Sequence, residues 1–135
     1  MVLTNRRQSW HYLSVSDTTR DQRTIAIIPC GAEKATTPAA AADLYTGAMF
    51  TYVLRVARTI ATDSDIYILS ALHGLIALDD IVAPYNLRMG QPGSVTATDV
   101  ATQAAAHDIA WGDDVYLLLP PAYRDLAPDG LATLD

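Results

Sequence analysis

Three apolar runs constrain this chain more than anything else in it: Thr24 to Pro29 (TIAIIP), Asp65 to Ser70 (DIYILS) and Asp114 to Leu119 (DVYLLL). Each is strand length, and none alternates between apolar and polar residues. That pattern belongs to parallel strands covered on both faces, because a strand with one wet face shows a period of two. The intervals between the runs are long enough to hold helices. Thr46 can cap a helix from Gly47 to about Ala61, with Met49, Val53, Ala57 and Ile60 at helical spacing and Phe50, Leu54 and Ala61 beside them. Ser94 or Thr96 can open a second helix running to about Ala110, whose stripe of Val100, Ala104 and Trp111 is thin. Strand, helix, strand, helix, strand in that order implies right-handed parallel crossovers. The expected fold is therefore α/β: a small three-layer domain with a mainly parallel sheet of at least three strands. Residues 24–135 form its single domain, and 1–23 form an N-terminal arm or edge element. Trp10 to Val15 is a candidate extra edge strand, and Ala122 a candidate start for a short last helix.

Size and composition bound the rest. A chain of 135 residues is long enough to bury roughly two thirds of its unfolded surface in one core. Its lone cysteine, Cys30, excludes an intrachain disulfide and any cysteine-based zinc cluster, which suits a reducing, cytoplasmic setting. No apolar run approaches the roughly 20 residues that a membrane helix needs, so no membrane partner is expected. Residues 1–23 hold four arginines (Arg6, Arg7, Arg20 and Arg23) against two aspartates, a balance of +2, so the remainder carries −8 of the net −6. An acidic body opposes non-specific binding of duplex DNA, which rests on a basic stripe facing phosphates.

Polar residues cluster where the apolar runs end. In open α/β sheets, ligands bind beyond the carboxyl ends of the strands, so these turns are the candidates for chemistry. The first run empties into Cys30-Gly31-Ala32-Glu33-Lys34, which holds the only cysteine, glutamate and lysine of the chain. Gly31 lets a ligand approach the backbone and Lys34 offers a charge for phosphate. The alternative is a small buried thiol and a solvated lysine, since no phosphate-loop motif is present. The second run ends in Ser70, with His73 and Gly74 next. His73 is either a proton carrier and hydrogen bonder to a base or carbonyl, or a loop cap bonded to backbone. Ser70 reads as a hydrogen bonder, since no nucleophile elbow surrounds it. Pro84 preorders the turn before Tyr85, whose ring can stack on a planar ligand, and Tyr45 can close the same cleft. Either tyrosine can equally be a core residue with a satisfied hydroxyl. Asp79 and Asp80 are adjacent and lack further ligands at metal spacing, so they read as loop caps, and no metal or cofactor is expected. His11 and His107 have no supporting residues.

The blocks CGAEK, ADLYTG, SALHGL and APYNLRMG, in this order, resemble the bacterial and phage family called domain of unknown function 6884. The stretch SALHGLIALDDIVAPYNLRMG is also similar to blocks of the YaaA peroxide-stress proteins, which have tyrosine where this chain has His73. The resemblance spans roughly Cys30 to Gly90. It implies an α/β domain of a kind linked to DNA or nucleobase handling, distantly related to the uracil-DNA glycosylase fold and short at its C-terminus. The positions that carry it are Cys30, Lys34, Leu44, Tyr45, Ser70, His73, Gly74, Leu75, Pro84 and Tyr85.

The functional expectation is a nucleotide- or nucleobase-binding domain, with His73 and Lys34 as the catalytic pair and Cys30, Gly31, Tyr45, Ser70, Gly74 and Tyr85 around the ligand. If it is an enzyme, glycosidic-bond or base-modifying chemistry fits these groups best. The alternative is a non-catalytic phage or stress accessory protein that binds DNA through Arg55, Arg58 and the N-terminal arginines, or a protein partner through its acidic face.

Overall fold

The computed structural model describes residues 3–5, 22–109 and 112–124. Its strands are β1 (Leu3–Asn5), β2 (Thr24–Pro29), β3 (Ala39–Ala40), β4 (Ile66–Ser70), β5 (Gly74–Ala77), β6 (Ile81–Val82) and β7 (Asp114–Leu117). Its helices are α1 (Ala41–Leu44), α2 (Ala48–Ala57), α3 (Ala97–Ala106) and α4 (Pro121–Arg124), with a 3-10 turn over Asp63–Asp65 leading into β4.

The three apolar runs are the three central strands of one five-stranded sheet, ordered β1-β7-β2-β4-β5. β2 runs parallel to both neighbours, with Ile28 opposite Ile68 and Ile25 opposite Val115. The two edges are antiparallel, β1 against β7 and β5 against β4. Both faces are covered, as the lack of alternation requires. Ile25 and Ile27 join Tyr67, Leu69, Val115 and Leu117 in one core with Val100 and Ala104 of α3. Ala26 and Ile28 point the other way, with Ile66 and Ile68, onto Phe50, Leu54 and Ala57 of α2.

The chain leaves β2, crosses through α2 to β4 on one side, and returns over the opposite face through α3 to β7 on the other side of β2. The strand order therefore reverses at β2, and a crevice opens beyond the carboxyl ends of β2 and β7, where open α/β sheets take their ligands.

Several elements differ from the sequence reading. Helix α2 stops at Ala57 and unwinds through hydrogen-bonded turns to Ile60 and Ala61, and its buried stripe is Phe50, Leu54 and Ala57. Met49, expected on that stripe, is 72% exposed. Of the two proposed caps for α3, Thr96 is the one used: its hydroxyl accepts from Asp99 N–H, and the Asp99 carboxylate accepts from Thr96 N–H. That helix ends at Ala106, before Asp108 adopts a positive φ. After Ser70 the chain reverses through Ala71 to His73 into β5, an unforeseen strand. A second sheet of two short strands, β3 with β6, was also unforeseen. The candidate strand Trp10 to Val15, together with His11 and Trp111, lies outside the described residues. Among the described residues, no helix is long and apolar enough to cross a membrane.

Candidate functional site

The small β3–β6 sheet brings the tyrosines together. Ala41 N–H donates to Asp80 O and Ala42 N–H to Leu78 O, which fastens α1 to the chain around β5 and β6. On the far side of α1, Ala35 N–H donates to Leu44 O and Thr46 N–H to Glu33 O, so that Lys34 and Tyr45 are bridge partners. Lys34, Tyr45, Ser70, His73 and Tyr85, spread over 52 of the 135 residues, meet at the carboxyl ends of β2 and β4.

Hydroxyls form the centre of this cluster. Ser70 is fully buried, and its Oγ accepts from Leu72 N–H at 3.2 Å and His73 N–H at 3.0 Å. A serine oxygen has two lone pairs, and both are engaged, so its own proton is directed to Tyr85 Oη at 2.7 Å. Tyr85 Oη shares a further hydrogen bond of 2.6 Å with Tyr45 Oη. Two backbone amides thus orient a chain of three hydroxyls. Burial pushes the Tyr85 phenol well above its ordinary value, and the nearby Cys30 adds to this; burial likewise raises Tyr45. These hydroxyls stay protonated and act as hydrogen-bonding groups.

The Tyr85 ring carries the two polar groups expected from the sequence. Lys34 Nζ stands 4.4 Å from its centroid, and donates to Ala32 O at 3.2 Å. The exposed His73 ring meets it in a T-shaped contact, with centroids 5.6 Å apart. Tyr45 is only 2% exposed, with its ring against Phe50, so it reaches the cleft through its hydroxyl and not as a stacking surface.

Two cavities adjoin the cluster. One of about 430 Å³ lies between His73, Leu72, the Tyr85 ring and the residues of β6. The other, about 300 Å³, sits at the reversal between β2 and β7, where Cys30, Gly31 and Ala32 face Leu87, Arg88, Met89 and Tyr123. Cys30 is half-buried, and its Sγ is 3.4 Å from Tyr123 Oη, a phenol that burial and this thiol contact both raise.

Gly74 stands apart from both cavities. Its φ is +78°, and a Cβ there would collide with Gln103 Oε1 of α3. Gln103 clamps this turn, accepting from Leu75 N–H at 2.8 Å and donating from Nε2 to His73 O at 2.9 Å. His107 packs on Tyr67 and bonds Leu75 O, and Asp80 accepts from Ala77 N–H as a loop cap. Among the described residues, no group of three His, Cys, Asp or Glu side chains could share a metal ion.

Sequence reasoning missed Arg88, Tyr123 and Gln103. Arg88 was visible as a cation inside the PYNLRMG block; Tyr123 and Gln103 gave no local signal, because only the packing of α4 and α3 brings them to the sheet edge.

The chain belongs to the family of unknown function DUF6884, whose model matches residues 25–133. That match takes in all three central strands and both crossover helices. No curated protein and no solved structure matches it.

Proposed function

We propose that this chain binds a nucleotide or nucleobase at the carboxyl edge of its sheet, with the Tyr85 ring as the platform. The observation that carries this reading is the fixation of Tyr85: Ser70 and Tyr45 hold its hydroxyl, while Lys34 and His73 lie on its ring. A pre-positioned aromatic ring beside a cavity, with a cation and an imidazole at its margin, suits a flat, hydrogen-bonding, electron-rich ligand. A distant relation to the uracil-DNA glycosylase fold belongs to the same reading. His73 is the group able to exchange a proton with a base or leaving group, and Lys34 places positive charge where negative charge would develop. Glycosidic-bond or base-modifying chemistry is the reaction class these groups suit. The accessory, DNA-binding reading has less support, because Arg58 is paired with Asp63 and Arg23 with Asp65.

Calorimetric titration with nucleobases, nucleosides and nucleotides, run on the parent chain and on His73→Ala, tests the reading. His73 is exposed and buries little apolar area, so its removal should leave the melting temperature within a degree or two, by the small effect of surface changes, and weaken binding several-fold. A large loss of stability with unchanged binding would make His73 a structural residue. Absence of binding across the whole panel would overturn the reading itself.

A further inference from the structure

The cavity at the reversal between β2 and β7 has a lining unlike that of the Tyr85 platform. Ala32, Leu87, Met89 and Tyr123 make most of that lining apolar, and Arg88 is its one fully charged residue. Arg88 has no hydrogen-bond or ion-pair partner for that guanidinium among the described residues, although the protein carries a net charge of −6. Arg23 and Arg58 are each paired with an aspartate.

The backbone of Arg88 is held in place. Its N–H donates to Gln91 Oε1 at 2.8 Å, its carbonyl accepts from Gln91 N–H at 3.0 Å, and Gly90 N–H donates to Ser94 Oγ. A closed turn therefore holds Arg88 at the crevice, with its guanidinium unpaired among the described residues. Lys34, the residue that sequence alone marks for phosphate, is not in the lining of this cavity; its Nζ is turned to the Tyr85 ring and Ala32 O.

From this arrangement we infer that the Cys30–Arg88–Tyr123 cavity is the phosphate subsite of a nucleoside monophosphate whose base lies toward Tyr85, with Arg88 as the residue that recognises the charge. The inference rests on the nucleotide-binding reading above and assigns its phosphate end. Arg88 is three residues from Tyr85, so their Cα atoms are at most about 11 Å apart, a span on the scale of one mononucleotide. A guanidinium fork pairs with two phosphate oxygens at once, which a point charge such as Lys34 does not do.

The test compares the four ribonucleosides with their 5′-monophosphates on the parent chain, Arg88→Gln, Arg88→Lys and Lys34→Gln. Because Arg88 is exposed and its turn is held by backbone and Gln91, the variants should fold, and melting curves check this. The parent should prefer at least one monophosphate over its nucleoside by tenfold or more. Arg88→Gln should bring the two to equal affinity with the nucleoside unaffected, Arg88→Lys should retain part of the preference, and Lys34→Gln should keep the ratio of the two affinities even where it weakens both. Cys30 provides a second readout, since it is the only cysteine of the chain and faces this cavity. The monophosphate should slow its alkylation by iodoacetamide in the parent and not in Arg88→Gln. A phosphate preference that is absent from the parent, survives Arg88→Gln or vanishes in Lys34→Gln overturns the assignment while leaving nucleoside binding intact. Failure to bind either ligand form overturns the subsite, and with it the nucleotide-binding reading if free nucleobases also fail to bind.

Discussion

Tyr85 and Tyr45 share a 2.6 Å hydrogen bond between their hydroxyls although forty residues separate them in sequence. Ser70, whose lone pairs are held by two amides, donates into that pair from the other end. Tyr85→Phe removes the middle of this chain and leaves two buried hydroxyls without their partner. Unpaired buried groups of this kind cost about 1–3 kcal/mol each before relaxation, so the variant should lose about 2–3 kcal/mol in urea denaturation. Wild-type stability in Tyr85→Phe would show that the hydroxyl chain contributes nothing net.

The same phenols set the alkaline limit of the fold. Burial raises Tyr45, Tyr85 and Tyr123 above the ordinary value near 10. Below that pH the phenols are neutral in both states, and the stabilisation is fully present. Above it the unfolded chain loses protons that the folded chain retains, so stability falls as pH rises through the folded-state values. Denaturation curves should be flat with respect to these groups from pH 7 to 9 and decline above 10. Tyrosinate absorbance from the three should emerge with unfolding. Full ionisation of all seven tyrosines in a folded protein would contradict this.

Gly74 and Gln103 form a matched pair, since the glycine leaves the space that the amide fills. Gly74→Ala forces a left-handed φ on an L-residue, at about 1–2 kcal/mol, and pushes Gln103 off two hydrogen bonds worth about 1 kcal/mol each. A loss of about 2–4 kcal/mol follows from these contributions. In the double variant with Gln103→Ala the collision is gone, so the combined loss should be less than the sum of the two single losses. Strict additivity in that cycle would show that the two residues are independent.

Arg23 joins the sheet to the end of α3. Its guanidinium bonds Asp65 at 2.7 Å, Tyr67 Oη at 3.1 Å, and the carbonyls of His107 and Asp108. Arg23→Ala should therefore lower stability by about 1–3 kcal/mol, the range for a partly buried charged hydrogen-bond network. Binding of random duplex DNA should be weak at physiological salt in parent and variant alike, because this arginine is already occupied and the body is acidic. Fluorescence anisotropy checks this, and a marked drop in DNA affinity in Arg23→Ala at equal stability would restore Arg23 as a phosphate contact.

The central architecture was legible in the sequence for a simple reason. Strands such as TIAIIP and DVYLLL, buried on both faces, cannot alternate, and the intervals between them hold helices, so pattern and spacing identify a parallel core. The turns after β2 and β4 were legible as well, because Cys30, Lys34, Ser70 and His73 are polar groups placed where apolar runs stop. What sequence could not supply was the company these residues keep. β5 depends on a single glycine conformation backed by Gln103 thirty residues away from His73. The pairing of β3 with β6 rests on two residues in each strand, too short for any periodicity to register. Met49 and Phe50 are adjacent and both apolar, and only the docking angle of α2 decides which one is buried. Arg88 and Tyr123 belong to a loop and a one-turn helix, and their meeting with Cys30 is a consequence of strand order, which places β7 and not β4 on that side of β2. Local pattern determines which segments must be buried; which polar side chains end up facing one another is decided by long-range packing, because each contact depends on elements that carry no mark of one another in the chain.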